Sequence, residues 1–195
     1  MTSENNQERF YNTMLELASQ VKKNAETIKS HEVLNTIDLI LQVFNQKNRI
    51  FVYGAGRSGF IGRCFAQRLM HLGIKSCFVS DAITHQYTNK DLLILVSGSG
   101  ETISTVAITR KAKEIGGKII SFSNNSKSTI GRLSDYIIEI KGKSKDMALS
   151  QETLAPYTSL FDISALAVLD SIGGIIMKRL GVTEEDIDKR HASIE

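Results

Sequence analysis

The feature that most constrains the fold is a series of short apolar runs that alternate with stretches of helical periodicity between residues 49 and 140. The runs span residues 50–53, 77–79, 92–96, 119–122 and 136–140. Apolar runs of this length are typical of strands buried on both faces, and their alternation with helices is typical of a parallel sheet. The sequence therefore predicts an α/β fold, a three-layer sandwich around a five-stranded parallel sheet.

Helical periodicity fills most of the remaining chain. Apolar residues recur at steps of three and four in residues 4–30 and again in 32–45, which predicts an N-terminal helical hairpin within residues 1–45. Further helices are predicted at 59–72, 102–115, 128–133 and 159–180, with none between the second and third strands. The apolar stripe of the first helix needs a surface to cover it, and a neighbouring subunit is the expected cover.

Composition and charge limit the classes of molecule that the protein is expected to bind. The chain has 195 residues, and 24 basic against 21 acidic residues give a net charge of +3, too small and too evenly spread to favour nucleic acid or an anionic membrane. No apolar window reaches the roughly 18 residues of a membrane span, and the N-terminus lacks the order of a signal peptide. Cys64 and Cys77 lie among apolar neighbours and form no metal motif, so we expect two buried thiols and a cytoplasmic location.

Two loops rich in glycine and serine follow predicted strands and precede predicted helices. Residues 54–59 read Gly-Ala-Gly-Arg-Ser-Gly, and residues 97–102 read Ser-Gly-Ser-Gly-Glu-Thr. The carboxyl ends of parallel strands meet at one edge of a sheet, where open α/β folds bind their ligands. Glycines that allow close approach, helix N-termini and hydroxyl donors together favour an anion. The sequence therefore predicts a phosphate site at this edge.

Two other interpretations of these loops stay open. Ser58, Ser99 and Thr102 could cap the helices that follow them. The first loop also spells the G-x-G-x-x-G fingerprint of dinucleotide-binding proteins, with Asp81 at a suitable distance to bind a ribose. Against a dinucleotide, Arg57 within the loop suits a compact phosphoester, and the second loop has no role in that interpretation.

Both loops resemble those of the sugar isomerase (SIS) domain family, whose phosphosugar site uses a Gly-x-Ser turn after the first strand and a Ser-x-Ser-Gly-Glu-Thr turn after the third. The resemblance covers nearly the whole chain as a single SIS domain, residues 1–195, with an α/β core at 49–180 and a tail at 181–195 that reaches a neighbouring subunit. Matching positions imply a phosphate site made by these residues: Ser58, Ser97, Ser99 and Thr102, with Gly56 and Arg57 as further substrate-binding residues.

Within that family the chain is most similar to the 6-phospho-3-hexuloisomerases, through residues 54–73, 91–102 and 189–195. This resemblance implies interconversion of D-arabino-3-hexulose 6-phosphate and fructose 6-phosphate through an enediol, as the second step of the ribulose monophosphate pathway. It implies no cofactor and no metal. It also implies the flavodoxin-like strand order and a homotetramer in which subunits share active sites.

The resemblance also implies the catalytic residues. The family's base is a glutamate in a Pro-Met-Gly-x-x-Phe-Glu pattern, and residues 156–162 here read Pro-Tyr-Thr-Ser-Leu-Phe-Asp, which puts Asp162 in its place. Because aspartate is one methylene shorter, Glu152 on the preceding loop is an alternative base. His191 in the C-terminal tail is expected to open the sugar ring or shuttle a proton in a neighbouring subunit's site.

Two alternative functions stay open. One is another phosphosugar aldose–ketose isomerase, such as arabinose 5-phosphate isomerase, whose SIS domain also uses a histidine near its C-terminal end. The other is a phosphosugar-binding SIS protein without catalytic activity, an alternative that the replacement of the family's glutamate by Asp162 keeps open.

Overall fold

The computed structural model describes residues 5–142 and 153–191. Its helices and strands, in chain order, are α1 (Asn6–Thr27), α2 (Ser30–Asn45), β1 (Ile50–Gly54), α3 (Arg57–His71), β2 (Ser76–Phe78), β3 (Leu92–Val96), α4 (Ile103–Ile115), β4 (Lys118–Ser123), α5 (Thr129–Leu133), β5 (Tyr136–Glu139), α6 (Ser159–Leu180) and α7 (Glu184–Asp188). Each predicted strand lies within about one residue of an observed one. The predicted α/β fold class is confirmed.

The sheet is parallel and has the strand order β2-β1-β3-β4-β5. β1 and β3 are neighbours and end together, since Gly54 is paired with Val96 at the last position of both strands. The chain leaves β1 toward one edge of the sheet and leaves β3 toward the other, so right-handed connections place α3 and α4 on opposite faces. The two glycine-serine loops therefore begin side by side, at the point where the helices diverge.

Helix α6 packs against the core of the domain. It is long and apolar enough to cross a membrane by length and composition alone, but half of its most apolar window is buried inside the domain. Ala165, Leu169, Ile172 and Ile176 are almost completely inaccessible. A core helix of a globular domain passes the same test of length and hydropathy, and α6 fits that description.

Helix α1 holds two distant points of the chain through polar residues one turn apart. The Asn24 carboxamide, 1% exposed, accepts a hydrogen bond from the Lys141 N–H (2.8 Å) and donates one to the Lys141 carbonyl (2.8 Å). Gln20 Nε2 donates to the same carbonyl (3.0 Å), and a Glu16 carboxylate oxygen accepts from the Ala155 N–H (2.7 Å). α1 thereby fixes the chain at the end of β5 and just before α6.

The apolar stripe of α1 remains largely uncovered within one chain. Phe10 is 69% exposed and Met14 is 53% exposed, and their neighbours Tyr11 and Leu15 are exposed as well. An exposed apolar patch of this kind is typical of a protein–protein contact surface.

The prediction that both cysteines are buried is wrong. Cys64 is exposed because it lies on the outer face of α3, beside Phe65, which faces the core. Cys77 is half-buried, and this burial raises the pKa of its thiol above the ordinary value.

Candidate active site

A cavity of about 320 Å³ lies at the carboxyl ends of β1 and β3. Its volume falls at the lower end of the range found for small-molecule sites. It is lined by both glycine-serine loops and by the start of α6: Ala55, Gly56, Arg57, Ser58, Val96, Ser97, Gly98, Ser99, Thr102, Tyr157, Thr158, Phe161 and Asp162. The structure thus brings together all six predicted substrate-binding residues and one of the predicted catalytic residues.

The glycines of the first loop allow the strand, the loop and α3 to approach closely. A Cβ atom on Gly54 would lie 2.7 Å from the Ser58 carbonyl oxygen, and one on Gly59 would lie 2.6 Å from the Gly54 carbonyl oxygen. Gly56 has φ +57° and ψ −132°, a conformation that residues with side chains rarely adopt. The G-x-G-x-x-G pattern is therefore explained by backbone packing.

The second loop is stabilised by its own serines. Ser97 Oγ accepts a hydrogen bond from the Gly100 N–H (3.2 Å), and Ser99 Oγ accepts one from the Glu101 N–H (3.2 Å). Ser99 Oγ also lies 3.5 Å from Thr102 Oγ1. These contacts hold the loop in one shape and keep the hydroxyls of Ser99 and Thr102 at the cavity wall.

The first residues of α5 support this loop through hydrogen bonds. Glu101 Oε1 accepts a hydrogen bond from the Thr129 N–H (2.7 Å), and the Ile130 N–H donates to the Gly100 carbonyl (3.2 Å). The Thr129 hydroxyl and N–H lower the pKa of Glu101 below its ordinary value. Glu101 therefore acts on the neighbouring helix rather than in the cavity.

The N-termini of α3 and α4 are not capped by side chains. Neither Gly56 nor Thr102, the residues at the N-cap positions, makes a capping side-chain hydrogen bond. The first N–H groups of a helix have no partner within the helix and carry partial positive charge. With no side-chain cap on either helix, these groups are available to an anion, which favours the phosphate interpretation of the loops over the capping interpretation.

Asp162 is a buried carboxylate at the wall of the cavity, with 3% of the residue exposed. Its Oδ2 atom accepts two hydrogen bonds, one from Arg57 Nε (2.7 Å) and one from the Thr158 hydroxyl (2.7 Å). Arg57 itself is well exposed, with 62% of its side chain accessible. Among the described residues that line the cavity, Asp162 is the only carboxylate and Arg57 the only cation.

His191 lies far from the cavity of its own chain. Its ring packs on the ring of His71, with centroids 4.3 Å apart, and the neighbouring Arg190 donates to the His71 carbonyl (2.8 Å). His71 is the last residue of α3, whereas Arg57 at the first turn lines the cavity, so a rise of about 1.5 Å per residue separates them by about 21 Å. The other candidate base, Glu152, lies outside the described residues.

The structure also bears on the dinucleotide interpretation. The strand order β2-β1-β3-β4-β5 is the flavodoxin-like order, whereas dinucleotide-binding proteins have the order 3-2-1-4-5-6. Asp81, the candidate ribose ligand, forms an ion pair with Arg63 (3.0 Å). Both observations favour the phosphoester interpretation.

Sequence reasoning did not name six of the residues that line the cavity, and two of these, Thr158 and Phe161, support the predicted site residues. Thr158 donates a hydrogen bond to Asp162, and the Phe161 ring packs under the second loop, 3.3 Å from where a Cβ atom on Gly98 would lie. Phe161 matches the aromatic position of the family's pattern. Thr158 was detectable as the residue that stands where this pattern has glycine.

Comparison with known proteins agrees with the geometry of the loops. The SIS domain family model matches residues 43–169. A 3-hexulose-6-phosphate isomerase of Methanocaldococcus jannaschii is 39% identical over 82% of this chain and 84% of its own length. A protein of the same name from Bacillus subtilis is 34% identical over 92% of this chain and 96% of its own length.

Solved structures agree as well. A protein of Methanococcus jannaschii, for which a molecular function of 3-hexulose-6-phosphate isomerase was inferred, has a TM-score of 0.78 and 36% identity, covering 92% of this chain and 97% of that chain. The match extends beyond the two loops to the helices on both faces of the sheet. The chain therefore belongs to the SIS domain family, and it is an enzyme of the isomerase class.

Proposed function

We propose that this protein is a 6-phospho-3-hexuloisomerase, which interconverts D-arabino-3-hexulose 6-phosphate and fructose 6-phosphate. Its relatives support the broader assignment to the phosphosugar isomerases. The observation that carries the specific proposal is a buried carboxylate, Asp162, in the same cavity as two loops suited to a phosphate. A base within reach of a bound sugar phosphate is what this reaction needs.

The phosphate is proposed to lie between the N-termini of α3 and α4. The uncapped N–H groups of both helices and the hydroxyls of Ser58, Ser97, Ser99 and Thr102 supply neutral donors. The backbone at Gly56 is open to approach by a ligand, because no heavy atom lies within 4 Å of where its Cβ would be. These groups would fix the phosphate end and leave the carbon chain to extend toward α6.

The proposed chemistry moves the carbonyl from C3 to C2 through an enediol. Asp162 removes the proton from C2, and the C3 carbonyl oxygen takes up a proton, which gives the 2,3-enediol. The hydroxyl on C2 then loses its proton while C3 gains one, so that a C2 carbonyl and a C3 hydroxyl result. The Arg57 guanidinium, 2.7 Å from Asp162, is placed to polarise the oxygen that carries developing negative charge.

His191 is proposed to act in the cavity of a neighbouring subunit. Within one chain its ring packs on His71, which lies about 21 Å along α3 from Arg57 at the cavity, by a rise of about 1.5 Å per residue. Fructose 6-phosphate is mainly cyclic and needs a proton donor or acceptor to open, whereas the 3-ketose stays open. A homo-oligomer, proposed to be a tetramer, supplies that group, and the exposed apolar stripe of α1 supports such an assembly.

The proposed reaction needs no external redox partner, because one carbon of the substrate is oxidised while its neighbour is reduced. We accordingly propose a phosphosugar as the ligand, with no cofactor or metal. A cytoplasmic location and a place in the ribulose monophosphate pathway are part of the same proposal.

The test is deuterium exchange in heavy water, followed by NMR of fructose 6-phosphate, with arabinose 5-phosphate as a parallel substrate. Exchange at C3 alone is the expected result, since only a 2,3-enediol exposes that position. Exchange at C1 alone, or turnover of arabinose 5-phosphate, would instead identify an aldose–ketose isomerase. Phosphosugar binding without any exchange would identify a binding protein.

Two variants separate the proposed roles. Asp162→Asn keeps the shape and the Arg57 contact but removes the base, so kcat should fall by more than about a hundredfold at similar KM. Ser99→Ala removes a donor to the phosphate and should raise KM more than it lowers kcat. If Asp162→Asn kept most of its activity, Glu152 would become the first candidate for the base.

A further inference from the structure

Thr158 has a backbone conformation that its side chain makes costly. Its φ is +65° and its ψ is −10°, in the left-handed region. Among the described residues, the only other residue besides glycine with positive φ is Lys47 (φ +61°), in the exposed turn after α2. A β-branched residue in this region is an outlier in backbone conformation. Such strain persists only where contacts in the surrounding structure offset its cost.

The hydroxyl of Thr158 makes a hydrogen bond that offsets this strain. It donates to Asp162 Oδ2 at 2.7 Å, and the Thr158 carbonyl accepts the Asp162 N–H at 2.9 Å. The second donor to Oδ2 is Arg57 Nε, also at 2.7 Å. Both contacts engage Oδ2, and Oδ1 makes no hydrogen bond within the described part of the chain, which leaves Oδ1 as the oxygen that can take a proton.

The two donors differ in how firmly they are held. The Arg57 side chain is long and 62% exposed, and a bound phosphosugar would compete for its guanidinium. The Thr158 hydroxyl sits on a short side chain at the N-cap of α6, one turn from Asp162 on the same segment. It can hold the carboxylate in place while Arg57 moves toward a ligand.

We propose that Thr158 is a positioning residue, whose strained conformation orients the Asp162 carboxylate so that Oδ1 faces the substrate carbon. The inference rests on the proposed role of Asp162 as the base. It also accounts for the shorter side chain: a carboxylate on one methylene fewer has less reach, so its orientation must be fixed more closely. Misplacement of about 1 Å can cost about a hundredfold in rate.

Three variants test the proposal. Thr158→Val keeps the shape and the strain but removes the donor, and kcat should fall about tenfold to a hundredfold with KM within about twofold. Thr158→Ser restores the hydroxyl and should recover kcat to within about threefold of the wild type. Thr158→Gly relieves the strain, so its Tm should exceed that of Thr158→Val although its kcat is as low.

If the role of Thr158 were purely structural, activity would follow stability. The kcat of Thr158→Gly would then be the highest of the three variants rather than as low as that of Thr158→Val. Lys47→Gly is the matched control, because it relieves the same kind of strain far from the cavity and should raise Tm without changing kcat. Wild-type kcat in Thr158→Val or Thr158→Gly would overturn the inference while leaving the proposed function intact. Wild-type protein without C3 exchange would overturn the proposed function, and the inference with it.

Discussion

Replacing Asn24 by alanine should destabilise the protein far more than an ordinary substitution on a helix surface. The Asn24 carboxamide makes two hydrogen bonds of 2.8 Å to the backbone of Lys141, and the residue is 1% exposed. Both bonds are lost in Asn24→Ala. The Lys141 carbonyl keeps the donor on Gln20 (3.0 Å), but no hydrogen bond in the described residues replaces the acceptor for the Lys141 N–H.

The expected loss of unfolding free energy follows from this difference between the Lys141 carbonyl, which keeps a donor, and the Lys141 N–H, which loses its acceptor. A lost hydrogen bond costs about 1 kcal/mol and an orphaned donor about 1–3 kcal/mol, so the free energy of unfolding should fall by about 2–4 kcal/mol. A chain of this size loses about 2–4 °C in Tm per kcal/mol, which gives a drop of about 4–16 °C. Gln20→Ala alone should cost only about 0.5 kcal/mol because the carbonyl keeps Asn24.

The assay is urea unfolding followed by circular dichroism, at one protein concentration for all variants. Asn12→Ala on the same helix is the control, because it carries the same gain in helix propensity without a hydrogen bond to the loop. In the double variant with Gln20→Ala, the Lys141 carbonyl loses both of its donors among the described residues, so the loss of unfolding free energy should exceed the sum of the two single losses by about 1 kcal/mol. If Asn24→Ala unfolds within about 0.5 kcal/mol of Asn12→Ala, the reasoning is refuted.

Three further predictions concern other parts of the molecule. Gly59→Ala should disrupt the first loop and lower both Tm and phosphosugar affinity, because its Cβ would lie 2.6 Å from a backbone oxygen. Gly174→Ala, with open space around the new Cβ, should stabilise α6 by about 0.5–1 kcal/mol in a thermal melt. The Thr129 hydroxyl and N–H lower the pKa of Glu101, so the contact stabilises the fold above the ordinary glutamate pKa, and this contribution is lost as pH falls through the lowered pKa. Glu101→Gln should therefore flatten the acid side of a stability profile below the ordinary glutamate pKa.

The sheet could be predicted from sequence because its signals are local. Each strand is a short apolar run, and the loops after β1 and β3 combine glycines and hydroxyls that have few other uses at the end of a buried strand. Parallel pairing then places both loops at one edge, whatever the details of the helices. The six loop residues named as substrate-binding accordingly line one cavity.

The rest depends on contacts between residues far apart in the chain. Asn24 meets Lys141 across 117 residues, and Arg57 meets Asp162 across 105, so no window of sequence holds either pair. The strain at Thr158 arises from how the chain enters α6, which propensity alone does not reveal, since threonine disfavours that conformation. The exposure of Cys64 likewise depends on which face of α3 meets the sheet.

The near-neutral charge of the cavity bears on how binding responds to salt. Arg57 and Asp162 are the only charged groups among the described residues that line it, and they are already bonded to each other. The hydroxyls and helix N–H groups that would bind the phosphate carry no net charge, so salt screens this interaction less than it would screen binding to a lysine-rich surface. Affinity should therefore change little with ionic strength, and ligands should be distinguished by the shape of their phosphate end rather than by total charge.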